Sequence, residues 1–357
     1  MSQPFQARVS VVIPVRNEER NVERVARSVA AQEPVLEMIV VDDASTDRSG
    51  EILKRLAGEI PVLRLVRIES LPKGWTGKTY ACALGADRAQ GQWLLFTDAD
   101  TEHLPGSLAH WVGRAERDQW DLVSLSPGQV VGKWWEKAVI PRVFVQLARW
   151  YPFEDISRPE SPRAAANGQY LLMRREVYRK AGGFESVRNE ILDDVRLAEK
   201  VKAAGGRILF APGSEWVRTR MYGSFRAMWQ GWTKNLYLLA DGNGLRVMRA
   251  LAGAWLLDVL PEALLLALIP WVLVQGITAA ALAAFVACGA IIIYRGRKYA
   301  HQVQRLGYNP GTVQIYRPVG AWLFGLLLLN SFRDYRTRGS IEWKGRRYPV
   351  SAGPGQG

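Results

Sequence analysis

Two aspartates one residue apart, Asp98 and Asp100, close the apolar run "WLLF" in "WLLFTDADTEH". That spacing lets two carboxylates reach one hard cation, Mg2+ or Mn2+, which keeps several coordination positions free for phosphate oxygens. A lone D-x-D is common in surface turns, so its company decides its meaning. Two acidic strand ends precede it: "VVIPVRNEERNVERVARSV", with Pro14, Asn17 and Glu18, and "MIVVDDASTDRSGEIL", with Asp42, Asp43 and Asp47. Turn formation or helix capping would account for any one of these aspartates alone. A fourth cluster, "NEILDDVRLAEKVKAAGG", sets Asp193 and Asp194 at the start of a helical pattern, where the helix dipole by itself favours a carboxylate.

A cation stands among these acids in "LPKGWTGKT", Leu71 to Thr79. Gly77, Lys78 and Thr79 supply the end of a triphosphate-binding loop, G-x-x-x-x-G-K-[ST]. The position of its first glycine is Pro72, which has a fixed φ and no donor N–H. An NTPase coupled to membrane helices therefore competes with other nucleotide chemistry, and the elements around the loop must arbitrate.

Those elements alternate. The β-branched runs Val9 to Ile13, Met38 to Val41, Val62 to Val66 and Trp93 to Thr97 are separated by helical patterns, the first with Val22, Val25, Ala26 and Val29 on one face. Such alternation implies an α/β domain with a mostly parallel sheet, whose ligands bind beyond the carboxyl ends of the strands. Ser45 or Thr46 caps the second helix, which runs through Leu56 and stops at Gly58. Further on come the strand "DLVSLS", a helix from Lys133 to Trp150, the strand "QYLLMRR", a helix from Asp193 to Ala204 and the strand "RILFA".

After residue 249 the texture changes. Ala250 to Ile269 matches one bilayer core in length but carries Asp258 and Glu262, one turn apart on one face. Ala263 to Tyr294 has no charge over 32 residues, roughly 48 Å if helical and too long for one ~30 Å crossing. A break between Pro270 and Gly276 gives a helical hairpin over about 250–294, followed by a basic loop at 295–318. A third apolar segment, Val319 to Phe332, would place the basic tail outside if it crossed, so the positive-inside tendency favours an interfacial or re-entrant course. The expected organisation is a catalytic domain at 1–249, a membrane region at 250–335 and a basic tail at 336–357 ending in a disordered "SAGPGQG".

Of the net charge of +13, +9 lies between Arg295 and Arg347, with eleven Lys and Arg against Asp334 and Glu342. Basic charge beside apolar segments indicates an anionic membrane surface and not nucleic acid. Cys82 and Cys288 provide neither a disulfide framework nor a thiolate metal site, and His103, His110 and His301 lack zinc-site spacing. "MSQPFQARVSVVIP" has no apolar core for a signal peptide, so a multi-pass cell-membrane protein with a cytoplasmic N-terminal half is expected.

In order, the strand followed by P-x-x-N-E, then V-D-D-x-S-x-D, then G-K, then D-x-D resembles family 2 glycosyltransferases of the GT-A fold, over roughly Val9 to Tyr237. The resemblance implies that Pro14, Asn17, Glu18 and Asp43 contact the nucleoside and that Lys78 lies near the nucleotide. It implies too that Asp98 and Asp100 hold the metal on the sugar diphosphate. Asp193 takes the Glu position of the family's E-D motif, and Asp194 that of the catalytic base. The Q-x-x-R-W of processive synthases is replaced by Gln230 with Thr233 and Lys234, which disfavours processive synthesis. Gln230, Trp232 and Lys234 then either form an acceptor edge or belong to an interfacial Trp/Lys belt. "GWTGK" and the tail "IEWKGRRYP", with Trp343, Gly345, Arg346 and Tyr348, resemble members acting on carotenoid or hopanoid-type lipids. Together these imply an inverting, metal-dependent transfer from a nucleotide sugar, by default a UDP sugar, to an isoprenoid or hopanoid lipid or a polyprenyl phosphate. An inactive nucleotide-sugar-binding scaffold is the other rival.

Overall fold

The computed structural model describes residues 8–338, 340–343 and 346–349. Internal contacts divide the chain into two compact units. One holds the chain through Val130 together with Tyr151–Met221, and the other holds Val131–Trp150 and the chain from Tyr222 onward. The change in composition at residue 249 thus marks hydropathy, while the helix Trp134–Trp150 groups with the C-terminal helices.

The first unit is an α/β domain built on one eight-stranded sheet. Its strands are β1 (Val9–Val15), β2 (Val35–Asp42), β3 (Leu63–Arg67), β4 (Trp93–Phe96), β5 (Thr101–His103), β6 (Leu122–Gln129), β7 (Leu171–Arg174) and β8 (Ile208–Thr219). Their spatial order is β3-β2-β1-β4-β7-β6-β8-β5. The pairs β1/β2, β1/β4, β2/β3 and β6/β8 are parallel, whereas β7 and β5 run antiparallel to their neighbours. From β1 the chain steps outward to β2 and β3, then returns through the helix Gly77–Arg88 to β4 on the other side of β1. That reversal opens a crevice over the carboxyl ends of β1 and β4, the usual ligand position in open α/β sheets.

Alternating side chains of the sheet feed two cores. Val9, Val11, Ile13 and Val15 meet Val22, Val25 and Val29 of the helix Val22–Ala30 on one face, while Val12, Ile39, Leu94 and Phe96 meet Ala81, Cys82 and Leu197 on the other. Gly85 lets the helix Gly77–Arg88 lie against β1, since a Cβ there would fall 2.4 Å from Val12 Cγ1. The second helix begins at Ser49, later than Ser45 or Thr46, and neither residue caps it. Ser45 Oγ instead accepts from Asn17 N–H, and Thr46 N–H donates to Asn17 Oδ1.

In the second unit the helix Leu260–Gln275 ends before Gly276, which has φ +79°, and the helix Ala279–Arg305 starts after Thr278, whose side chain accepts from Ala281 N–H. Among the described residues three helical segments, Gly244–Gln275, Ala279–Arg305 and Pro310–Thr337, are long and apolar enough to cross a membrane. Half of the apolar window of the third is buried within the protein. The strands β9 (Ser340–Trp343) and β10 (Arg346–Pro349) pair antiparallel, with Arg346 opposite Trp343. Gly345 and the terminal "SAGPGQG" lie outside the described residues.

Candidate active site

The loops that follow β1 and β2 are tied together before any ligand arrives. Asn17, at φ +55°, exchanges bonds with Ser45 and Thr46, Glu18 N–H donates to Ser49 Oγ at 2.8 Å, and Glu19 N–H donates to Asp47 Oδ2 at 3.1 Å. Hydroxyls and acids that read as helix caps in the sequence therefore clamp two strand ends into one rim. Arg16 locks the base of the rim: its Nη1 donates to the Asp43 carbonyl at 2.7 Å and stands 3.6 Å from Asp43 Oδ2. Asp43 is buried, Glu18 and Pro14 half-buried, and Asn17 exposed at the rim. Asp42 serves the turn, its Oδ1 accepting from Ser45 N–H at 3.0 Å.

The D-x-D turn at the end of β4 rests on a buried polar network. Thr97 Oγ1 donates to the Gln169 carbonyl at 2.8 Å and lies 3.0 Å from both Thr101 Oγ1 and His103 Nε2. Thr101 Oγ1 donates to the Asp98 carbonyl, and Thr219 Oγ1 donates to the Asp100 carbonyl. Burial drives the His103 imidazole down to about 4, so the ring is neutral at physiological pH.

Across the crevice, Lys78 opens the helix Gly77–Arg88 and its Nζ lies 2.7 Å from Asp98 Oδ1. Burial works against the charge of Lys78, yet Asp193, Asp98 and Asp194 outweigh it and hold the ammonium well above the ordinary lysine value. Asp193 and Asp194 begin the helix Asp193–Ala203. Asp194 Oδ2 accepts from Gly168 N–H at 2.7 Å and Oδ1 from Val195 N–H at 2.8 Å, leaving lone pairs on both oxygens. The lysine and the three carboxylates thus converge from helices and strand ends far apart in sequence.

Thr79 decides against a triphosphate loop. Its hydroxyl is fully buried and donates to the Arg188 carbonyl at 2.6 Å, so the group that would bind magnesium in such a loop is committed to structure. Lys78 points at Asp98, and Pro72 stands where the first glycine of such a loop would be.

The donor set at the end of β4 is two carboxylates without sulfur or imidazole, which suits a hard divalent cation. Among the described residues no group of three or more His, Cys, Asp and Glu side chains could hold a metal ion. Two protein ligands fit an ion whose other positions go to diphosphate and water.

Residues 10–182 match the profile described as "Glycosyl transferase family 2". The chain is also 24% identical over 348 residues to the 4,4'-diaponeurosporenoate glycosyltransferase of Staphylococcus aureus, covering 96% of this chain and 88% of that one. Residues 10–182 thus carry the family 2 glycosyltransferase sequence pattern. With the enzyme of that name from Staphylococcus haemolyticus, identity is 28% over 243 residues, 67% of this chain but only 64% of that protein, just under two thirds of it. Among solved structures, a mannosyltransferase of Pyrobaculum calidifontis in complex with GDP-Man and Mn2+ superposes with a TM-score of 0.53 at 21% identity, over 90% of this chain and 88% of that one. The fold is therefore GT-A-like, and the chain is related to carotenoid glycosyltransferases.

Not every residue singled out in the sequence joins this site. In the second unit, Trp232 on the helix Phe225–Leu239 is 3% exposed and packs edge-on against Phe144 and against Tyr222. It is a core residue, so its aromatic face is not offered to an acceptor. Gln230 on the same helix is exposed, and Lys234 is half-buried with its carbonyl accepting from Tyr335 Oη at 2.7 Å. Trp343 and Arg346 face one another across the β9/β10 ladder, and their side chains lie outside the described part of the structure. Conversely, Arg16 and Gly168 belong to the site without a motif to announce them, although Arg16 stands inside the quoted "PVRNE".

Proposed function

We propose that the protein is an inverting, non-processive glycosyltransferase that moves one sugar from a nucleotide sugar to an isoprenoid-type lipid acceptor at a membrane. The observation that carries this reading is the convergence of Lys78, Asp98, Asp193 and Asp194 at the crevice between β1 and β4. The rim of Pro14, Asn17, Glu18 and Asp43 supplies the nucleoside side of that crevice. Asp98 and Asp100 would hold Mg2+ or Mn2+, which when bound offsets the charge of the departing diphosphate. Lys78 contributes a fixed positive charge beside Asp98 for the same leaving group.

In the transfer step an acceptor oxygen attacks sugar C1 from the face opposite the diphosphate. The C1–O bond to the diphosphate breaks, and the nucleoside diphosphate leaves. With a hydroxyl acceptor, Asp194 takes the proton. A carboxylate acceptor, such as the substrate class named for the staphylococcal relatives, arrives without one. A hopanoid or isoprenoid alcohol and a polyprenyl phosphate are the other acceptors this chemistry allows. The donor is by default a UDP sugar, and the structural relative solved with GDP-Man puts GDP sugars in the same panel. Three apolar helices and the basic flank at Arg295–Arg347 support a multi-pass cell-membrane location with the catalytic unit in the cytoplasm.

Membranes carrying the protein are incubated with radiolabelled nucleotide sugars and the lipid extract is counted. Label from one donor should enter the lipid fraction and vanish in Asp98→Ala and Asp100→Ala. Tight nucleotide and metal binding with no transfer or donor hydrolysis for any sugar would establish the inactive scaffold instead.

A further inference from the structure

Outside the catalytic unit, the helices Leu260–Gln275, Ala279–Arg305 and Arg317–Thr337 and the turn Gln314–Tyr316 line an open cavity of about 370 Å³. Its polar lining is Glu262, Arg297, Gln314 and Arg317, and its apolar lining includes Ile293 and Ile315. That volume and mixture are those of a small-molecule site.

Each polar group has a defined state. Arg317 is committed: it bonds Asp258 Oδ1 at 3.2 Å and Glu262 Oε1. Glu262 Oε2 is buried and has no hydrogen-bond partner among the described residues, a costly condition for a carboxylate oxygen unless something else binds there. The side chains of Arg297 and Gln314 have no hydrogen-bond or ion-pair partner among the described residues. Gly296 lets the Gln314 amide approach, since a Cβ there would lie 3.1 Å from Gln314 Nε2.

The charge balance gives the sign of a ligand. Asp258 is surrounded by Arg142 at 3.4 Å, Arg295 at 2.7 Å and Arg317 at 3.2 Å. With Glu262 counted, these three guanidinium groups exceed the two carboxylates by one charge, and Arg297 adds another. Ile293 and Ile315, 58% and 78% exposed, make the cavity's edge apolar on helices already suited to lipid. An amphiphile fits this arrangement with its head among the polar groups and its chains along the isoleucines.

We propose that this cavity binds the headgroup of a membrane phospholipid carrying both a phosphate and an amino or hydroxyl donor. The phosphate meets Arg297 and the Gln314 amide, and the donor meets Glu262 Oε2. The site is independent of sugar transfer, so Asp194→Asn protein binds the lipid as the wild type does.

The test is native mass spectrometry of the full-length protein titrated with phosphatidylglycerol, phosphatidylethanolamine and phosphatidylcholine. The first two should bind one per chain, about tenfold more tightly than the choline lipid, whose head has a phosphate but no N–H or O–H donor. Arg297→Ala and Gln314→Ala break no side-chain bond among the described residues, so both should fold and both should weaken binding about tenfold. Glu262→Gln should erase the preference over the choline lipid. Equal binding of all three lipids, or unchanged binding in Arg297→Ala, overturns the proposal. Soluble glycerol phosphate competing as well as the intact lipids overturns its lipid part, since the cavity would then be a free-phosphate site.

Discussion

The amide of Gly168 donates to Asp194 Oδ2 at 2.7 Å, and it does so beside Lys78 only because residue 168 has no side chain. A Cβ there would fall 2.7 Å from Lys78 Nζ and 3.4 Å from Asp194 Oδ2. Gly168→Ala should therefore push the lysine aside and tilt the carboxylate, lowering kcat by roughly 100-fold for a displacement on the order of 1 Å. The rim formed by Asn17, Glu18, Ser45 and Ser49 is untouched, so nucleotide binding measured by calorimetry should change little. Loss of nucleotide affinity as large as the loss of kcat would show that Gly168 serves the fold and not the geometry of the base.

Lys78 Nζ and Asp98 Oδ1 form an ion pair 2.7 Å apart. A cation at Asp98 would have to share that carboxylate with Lys78, so the two substitutions should not act independently. Lys78→Met and Asp98→Asn should each reduce transfer strongly, and the double variant should be far less impaired than the product of the single effects. Multiplicative losses in the steady-state cycle would mean that the pair observed here is not maintained in the working enzyme.

Asp194 as base makes a prediction that depends on the acceptor. Asp194→Asn should lower transfer to a hydroxyl acceptor by about 10²–10⁴-fold, because the proton then has no carboxylate to receive it. Transfer to a carboxylate acceptor, which brings no proton, should suffer far less. Parallel assays with a polyprenyl alcohol and a polyene carboxylic acid test this, and equal losses on both would move Asp194 from proton acceptance to positioning.

What could be read from the sequence was what depends on local periodicity. Val22, Val25, Ala26 and Val29 repeat with helical spacing and are the four residues that the helix Val22–Ala30 buries. The β1 and β4 runs likewise show apolar residues suited to a sheet covered on both faces. What escaped depends on distant partners. β5 has only three residues, and its antiparallel pairing with Val217–Thr219 of β8 is decided more than a hundred positions away. Ser45 and Ser49 have the chemistry of helix caps, but the β1 loop takes their hydroxyls. Trp232 next to Lys234 looks like an aromatic edge until Phe144 and Tyr222 close over it. Gly168 carries no side-chain signal at all, since its contribution is an N–H and an empty space.

His103 gives the fold a pH dependence whose sign follows from the burial of its ring. Its ring sits beneath the D-x-D turn, with Nε2 3.0 Å from Thr97 Oγ1, Nδ1 buried without a hydrogen-bond partner among the described residues and the Tyr170 ring 5.7 Å away. Burial lowers its pKa from 6.5 to about 4 in the folded protein. Between those values the unfolded chain binds a proton that the native state does not, so stability falls as pH drops through 6.5 and levels off below the folded value. A shift of this size corresponds to a loss of about 2 kcal/mol on going from neutral pH to about pH 5. His110, stacked on Trp216, is also pushed down, by burial first and then by Arg114 and Arg117, and contributes in the same direction. His103→Gln should therefore flatten the decline of Tm with acidification without abolishing it, the remainder belonging to His110. Thermal unfolding in detergent from about pH 7.5 to pH 5, where few carboxylates titrate, isolates the histidine contribution. Parallel curves for wild type and variant would mean that His103 takes up its proton in the folded state as readily as in water.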